Sequence, residues 1–458
     1  MPTIRKVLVA NRGEIAIRVI RACRELGIRT VAVHSTADAG ALHVRLADEA
    51  VCIGPARASE SYLHIPGIIA AAEISGADAV HPGYGFLSEN PEFAEVCERC
   101  GLIFIGPTAE NMRQWGSKVG ARAIAKSLGI PLLPGTGVLS GVEEAISAAE
   151  SIGYPVILKA SAGGGGRGMK VVRSAEQMRR VFPQAQAEAE AGFKCGDLYL
   201  ERFIEEPRHI EFQVLCDPAH ECYLVLGERE CSIQRRHQKI IEEAPSIALS
   251  AEKRAQVSAL IRRAMEHTRY RSAGTLEFLM DEKGALYFME MNTRIQVEHP
   301  VTEMVTGVDL IVEQIRIAQG LGPSADAQSA TLTGHAIECR INAEDPRTFV
   351  PWPGLITNYL PPGGPGIRVD GGVFSGWRVP GEYDSLLVKI IAFGKDRHQA
   401  ISRMQRALEE TVIEGIRTNL PLHRAIFQDE RFISGAISTR FLERLPFLKE
   451  HSQSGITP

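Results

Sequence analysis

At 458 residues the chain is long enough for roughly two to four domains with real cores, and 45% of its residues are hydrophobic, 23% charged, with a formal net charge of −4. That balance excludes a general role in coating nucleic acid or an anionic membrane surface. Nine cysteines without framework spacing suit a reducing cytosol rather than a secreted disulfide scaffold.

The chain enters a strand almost at once, Lys6–Ala10, with no charged region, apolar core and cleavage site of a signal peptide before it. No apolar run reaches the roughly 18 residues of a membrane helix, so a soluble, cytoplasmic protein is expected, with no membrane or nucleic-acid partner. A helix over Ile15–Leu26, a strand over Thr30–His34, a helix over Ile65–Ser75 and strands over Ala79–His81 and Ile103–Ile105 follow. Strands alternating with helices predict a parallel, doubly wound α/β unit. Its first turn, Asn11-Arg-Gly-Glu14, lacks GxGxxG, which argues against dinucleotide binding there. Cys97-Glu-Arg-Cys100 is a lone CxxC without the second ligand pair that a zinc site needs.

A second unit begins near Ile130 and carries Lys159-Ala-Ser-Ala-Gly163-Gly-Gly-Gly-Arg-Gly168. Gly163, Gly165 and Gly168 satisfy GxGxxG, yet Met169–Arg173 has the pattern of a strand where the dinucleotide fingerprint requires a helix. Met169 and Lys170 also stand where a P-loop needs Lys and Ser/Thr. A glycine loop between two antiparallel strands fits instead, closing over phosphates with its N–H groups while Lys159 supplies counter-charge. A surface hairpin is the alternative, disfavoured by the entropy lost in ordering four consecutive glycines. Tyr199-Leu-Glu201-Arg-Phe-Ile204 offers backbone and apolar contacts for a base and a carboxylate for a ribose hydroxyl; on its own it is also an ordinary strand.

Further along come strands over Ile210–Cys216 and Cys222–Glu228, the cationic stretch Cys231-Ser-Ile-Gln234-Arg-Arg-His237-Gln-Lys239, a helix over Glu252–Thr268 and a hairpin over Thr275–Met291. A charge run is usually a solvated face, but Glu242-Glu243 follows, so this electrically mixed stretch is expected to fold over something acidic. Beyond these lie Gly/Pro-rich strands across Trp352–Val379 and a helix near His398–Glu409. The hairpin should bring Glu277 within a rung or two of Glu290, a diagonal of about 7–8 Å at Cβ. Without a cation, two such buried acids would raise one another's pKa; a pair of structural acids ion-paired to arginines is the alternative. The run Glu290-Met-Asn292-Thr-Arg294-Ile-Gln296-Val-Glu298 ends a buried strand, where residues two apart share a face. Two oxygen donors and a guanidinium there suit a magnesium–phosphate assembly.

Together Val9–Ala16, His81–Asn90, the glycine loop, Gln234–Lys239, Glu290–His299 and Glu338–Asp345 resemble biotin carboxylase, an ATP-grasp ligase, over about residues 3–448. The resemblance implies an α/β and α+β multidomain fold. Its expected units are a Rossmann-like unit at 1–115, an ATP-grasp lid at 116–203, an ATP-grasp catalytic unit at 204–330 and an antiparallel C-terminal unit at 331–448, with a tail at 449–458. It implies conversion of bicarbonate to carboxyphosphate by ATP, then carboxylation of biotin N1′ on a biotin carboxyl carrier protein. By position, Lys118, Lys159, Gly165, Gly166, Glu201, Arg202, Phe203, Ile204, His209, Gln234, His237, Glu277 and Glu290 would bind ATP. Glu277, Glu290 and Asn292 would hold two Mg²⁺, with Mn²⁺ as a substitute. Lys239, Arg294 and the Val297 backbone would hold bicarbonate, with Glu298 as the base. Arg340 would stabilise the biotin enolate, joined by Tyr84.

Ala162 stands where many relatives carry a fifth glycine, Arg202 where lysine is common, and Ile204 is an apolar variant of a mainly backbone contact. No Ala-Met-Lys-Met biotinylation sequence and no carboxyltransferase unit is present. The expectation is therefore a separate, homodimeric subunit that meets carrier and carboxyltransferase subunits, within acetyl-CoA carboxylase. Two rivals remain: another ATP-grasp ligase making an acyl phosphate, and a nucleotide sensor that does not turn over.

Overall fold

Val7, Leu8 and Val9 are all fully buried, as expected of a parallel strand covered on both faces. Five such strands, β1 (Lys6–Val9), β2 (Arg29–Ser35), β3 (Glu49–Gly54), β4 (Ala79–His81) and β5 (Ile103–Phe104), form a parallel sheet of order β3-β2-β1-β4-β5. Val7 and Val9 pack on helix Gly13–Glu25, whereas Leu8 faces helix Ile65–Ser75. The doubly wound unit is present; the elements named from the sequence agree to within two residues, while edge strand β3 and helices Pro91–Arg99 and Ala109–Gly116 are not among them. The computed structural model describes residues 4–161, 169–193 and 195–449.

The second unit is a three-stranded antiparallel sheet, β7-β6-β8, from β6 (Val156–Ala160), β7 (Met169–Val172) and β8 (Leu198–Arg202). Helices Val142–Ile152 and Ala175–Phe193 share one core with it. The glycine loop joins two antiparallel strands, as its composition suggests; Gly165 and Gly166 themselves lie outside the described residues.

Everything else is organised by one large antiparallel sheet. Its strands are β9 (Arg208–Asp217), β10 (Cys222–Arg235), β11 (Gln238–Ala244), β12 (Ser272–Met280), β13 (Leu286–Asn292) and β14 (His335–Asn342), with two more from the last third of the chain. That third supplies β15 (Gly354–Leu355), β16 (Asn358–Leu360), β17 (Ile367–Gly371), β18 (Arg378–Val379), β19 (Leu386–Gly394) and β20 (Val412–Glu414). The eight-stranded order is β13-β12-β9-β10-β11-β14-β19-β17, and the remaining strands form two-stranded ribbons.

Alternation gives this sheet one apolar and one polar face. Phe212, Phe278 and Phe288 lie under helix Ala251–His267, with ring centroids 5.7 and 5.8 Å apart, and Trp115 meets Phe288 at 6.2 Å. Burying each of these rings contributes about 1.5–3 kcal/mol. Ile337, Cys339, Ile341, Val388 and Ile390 do the same beneath helices Arg397–Glu410 and Leu420–Gln428. The residues between them, Glu211, Gln213, Glu277, Glu338, Arg340 and Lys389, point to the opposite face.

Candidate active site

Arg229, Glu211, Glu277 and Glu290 stand in register across β10, β9, β12 and β13. The acid pair is closer than its sequence spacing suggests: Glu277 is directly opposite Glu290, not diagonal to it. The cause is a bulge, because Glu277 pairs with Glu290 while the next residue, Phe278, pairs with Phe288. Met289 is the extra residue. Leu286 and Phe288 point into the core, so an unbroken ladder would send Glu290 there as well; the bulge turns it to the polar face and Met291 inward.

Lys239 enters from β11 and ion-pairs with Glu211, with Glu277 at 2.9 Å and with Glu298 at 2.7 Å. This is the acidic environment expected for that stretch. Burial alone would lower the lysine pKa, but the three carboxylates outweigh it and raise it well above normal. Glu277 has a cation of the protein's own beside it. Burial raises its pKa, yet Lys239 and His209, the latter at 3.1 Å, hold it far below the ordinary range. A charged lysine, rather than a second acid, dominates its surroundings.

Asn292 donates to Glu277 at 3.0 Å, and Gln296 donates to it at 3.2 Å. Arg294 lies beyond the strand end and donates to Glu89 at 2.9 Å, Gln296 at 2.6 Å and Asn292 Oδ1 at 3.1 Å. Opposed Glu277 and Glu290 with the Asn292 amide oxygen form a hard-oxygen donor set on one face, which fits Mg²⁺.

Glu298 is 1% exposed and gripped by Lys239 and by Arg340 Nη2 at 2.8 Å. Burial pushes its carboxyl up, but Lys239, Arg340 and Arg229 hold it well below the usual range. It is an anion at neutral pH. Arg340 also ion-pairs with Glu242, and its buried Nε has no hydrogen-bond partner among the described residues. Such an orphaned donor is costly. Tyr84 donates to Glu14 at the edge of a cavity of about 360 Å³ lined also by Asn11, Phe86, Tyr383 and Asp384.

At the other end, Glu201 is buried between Lys159 and Arg122. Arg202 continues β8, and Phe203 and Ile204 follow it. Gln234 is buried opposite Lys239. The β10–β11 turn consists of Arg236 and His237, at φ 48° and 67°. His237 has its pKa lowered by burial, His209 and Lys159, so the turn faces both the lid strand and the large sheet. Lys118 opens helix Lys118–Ser127, and its side chain lies outside the described residues.

Four participants are new from the structure: Glu211, Glu242, Glu89 and Arg122. For Glu211 a signal exists in the chain, since His209, Glu211 and Gln213 alternate with Ile210, Phe212 and Val214, marking a polar face on a buried strand. Glu242 pairs only through the fold, so no local pattern marks it.

A doubly wound sheet, a glycine-loop sheet and a large antiparallel sheet bearing oxygen donors define an ATP-grasp ligase. Family models for the biotin carboxylase N-terminal domain, the carbamoyl-phosphate synthase L chain ATP binding domain and the biotin carboxylase C-terminal domain match residues 3–112, 117–323 and 338–444. A biotin carboxylase of Haemophilus influenzae is 54% identical, covering 96% of this chain and 98% of its own. A pyruvate carboxylase subunit from Methanothermobacter thermautotrophicus is 51% identical, covering 96% and 89%. Among solved structures, the biotin carboxylase domain dimer of Hydrogenobacter thermophilus 2-oxoglutarate carboxylase, in complex with MgADP, ADP and bicarbonate, superposes with a TM-score of 0.91 at 49% identity, covering 98% and 99%. The chain belongs to the biotin carboxylase family and is an ATP-dependent ligase that carboxylates biotin.

Proposed function

We propose that this chain converts bicarbonate to carboxyphosphate with ATP and carboxylates N1′ of biotin on a separate carrier protein, as the biotin carboxylase subunit of acetyl-CoA carboxylase. The observation that carries this reading is Glu298, an anion held between Lys239 and Arg340 and followed along the sheet by the opposed pair Glu277 and Glu290. Lys159, Glu201, His209, Gln234, His237 and the glycine loop bind the nucleotide. Glu277, Glu290 and Asn292 would hold two Mg²⁺ (or Mn²⁺), which would supply charge neutralisation for the phosphoryl group in transfer.

Bicarbonate is a poor nucleophile. Arg294 and Lys239 orient it with the Val297 N–H, and Glu298 removes its proton. The carboxyphosphate formed must be kept from water, which gives the glycine lid its reason to close. Arg340 then stabilises the enolate oxygen of biotin, with Tyr84 alongside.

The partners are a biotin carboxyl carrier protein, carboxyltransferase subunits and a second copy of this chain. A 2-oxo acid carboxylase is a second reading for the final acceptor, favoured by the similarity to the pyruvate and 2-oxoglutarate carboxylase chains. The activity is tested by ATP hydrolysis in the purified chain: it should require bicarbonate and rise with free biotin. Indifference to both would point to a different acyl-phosphate ligase. Isolation of the native complex, followed by identification of its carrier and transferase, decides the acceptor.

A further inference from the structure

Arg340 on β14 has a second cation directly opposite it, Lys389 on β19, and Asp370 on β17 faces Lys389 from the other side. Lys389 is 0% exposed. Its Nζ donates to the Val297 carbonyl oxygen at 2.8 Å and lies 3.1 Å from Glu14, which in turn accepts from Tyr84. Like charges facing each other across a strand pair repel, and burying an ammonium is costly unless it is paired. A buried position needed only for packing would carry an apolar residue.

What the ammonium accomplishes follows from the atom it holds. The Val297 carbonyl belongs to the peptide whose N–H is that of Glu298. Lys239 and Arg340 grip the Glu298 side chain, and Lys389 grips the backbone behind it. Glu14 comes from the N-terminal unit, Val297 from the segment after β13 and Lys389 from the C-terminal strands, so one ammonium ties three parts of the chain together. Burial disfavours its charge, but Glu14, then Glu338, on the same polar face with neither oxygen hydrogen-bonded among the described residues, and then Asp370 outweigh it and keep it protonated.

We propose that Lys389 is a positioning residue for Glu298: clamped by Glu14, it fixes the Val297–Glu298 peptide so that the Val297 N–H and the Glu298 carboxylate meet bicarbonate together. This deepens, and rests on, the reading of Val297 and Glu298 as the bicarbonate site.

The test compares the full-length wild type with Lys389→Met, measuring bicarbonate-dependent ATP hydrolysis and the Kd for MgADP. The bicarbonate KM should rise about tenfold or more while the MgADP Kd stays within about threefold, a split that general loosening would not produce. Lys389→Arg, which keeps the charge, should recover most of that loss. A bicarbonate KM within about twofold of wild type, or a matching loss of MgADP affinity, overturns the inference. Should Lys389→Met fail to fold, Glu14→Gln tests the clamp, with a bicarbonate KM raised about threefold or more at constant MgADP affinity; an unmoved KM overturns it. If wild-type ATP hydrolysis ignores bicarbonate, the site reading itself falls and takes the inference with it. If the wild type depends on bicarbonate and Lys389→Met behaves as wild type, the inference alone falls.

Discussion

Glu290 faces Glu277 across β12 and β13 because Met289 interrupts the ladder between them. The donor set is thus built by a backbone irregularity rather than by strand alternation. Glu290→Gln keeps the bulge and removes one anionic donor. The Mg²⁺ concentration for half-maximal ATP hydrolysis should rise about tenfold or more, with the thermal midpoint little changed. An unaltered Mg²⁺ response would leave Glu290 a structural acid.

That bulge also marks where sequence reading stops. Helix Ile65–Ser75 and strand Ala79–His81 are legible to the residue because apolar spacing and Gly76 define them locally. Motif order was enough to collect Lys239, Arg294, Glu298 and Arg340. The direct Glu277–Glu290 opposition was not legible, since Leu286, Phe288 and Glu290 share one parity and only the packing of Met291 against Leu276 shows that it breaks. The low pKa of Glu277 was hidden for a related reason: Lys239 arrives from a strand 38 residues away.

Arg294 touches Glu89, Gln296 and Asn292 and no residue of the lid sheet among its hydrogen-bond partners. Arg294→Ala should therefore lower the turnover number about a hundredfold, the scale of losing one preorganised donor, with MgADP affinity nearly unchanged. Equal losses in both, measured by steady-state kinetics and calorimetry, would remove its assignment to bicarbonate.

Lys239 neutralises three buried carboxylates at once, which makes it more than a ligand-binding cation. Lys239→Gln should raise the bicarbonate KM and also destabilise the fold by about 3–5 kcal/mol, the usual cost of leaving a buried charge without its partner. The urea midpoint checks the second effect. A variant as stable as the wild type would mean that the acids relax or protonate without cost.

His43 supplies a pH dependence remote from the chemistry. It is 1% exposed with Nε2 donating to the Val33 carbonyl at 3.3 Å, and burial lowers its pKa from 6.5 to about 4 despite Asp38 nearby. The unfolded chain takes up this proton near pH 6.5 and the folded chain does not, so the stability it contributes is present above pH 6.5 and lost as pH falls. Between pH 7 and pH 5 the wild type should lose about 2 kcal/mol more than His43→Gln. Parallel stability curves for the two proteins would show that His43 titrates normally.

Arg236 and His237 form a two-residue turn with both residues at positive φ, a conformation that hairpins usually assign to Asn-Gly. A non-glycine residue held there costs about 1–2 kcal/mol, and the neighbouring strands β10 and β11 enforce it. Strain of this kind persists where a side chain is needed in one place. Here that side chain is His237, which lies close enough to His209 and Lys159 to feel both. His237→Gly should raise the urea midpoint, by relieving about 1 kcal/mol of strain, and weaken MgADP binding about tenfold. Opposite signs for stability and affinity are the signature of a turn shaped by its ligand. A glycine variant that gains stability and binds MgADP as well as the wild type would leave the strained turn without a nucleotide role.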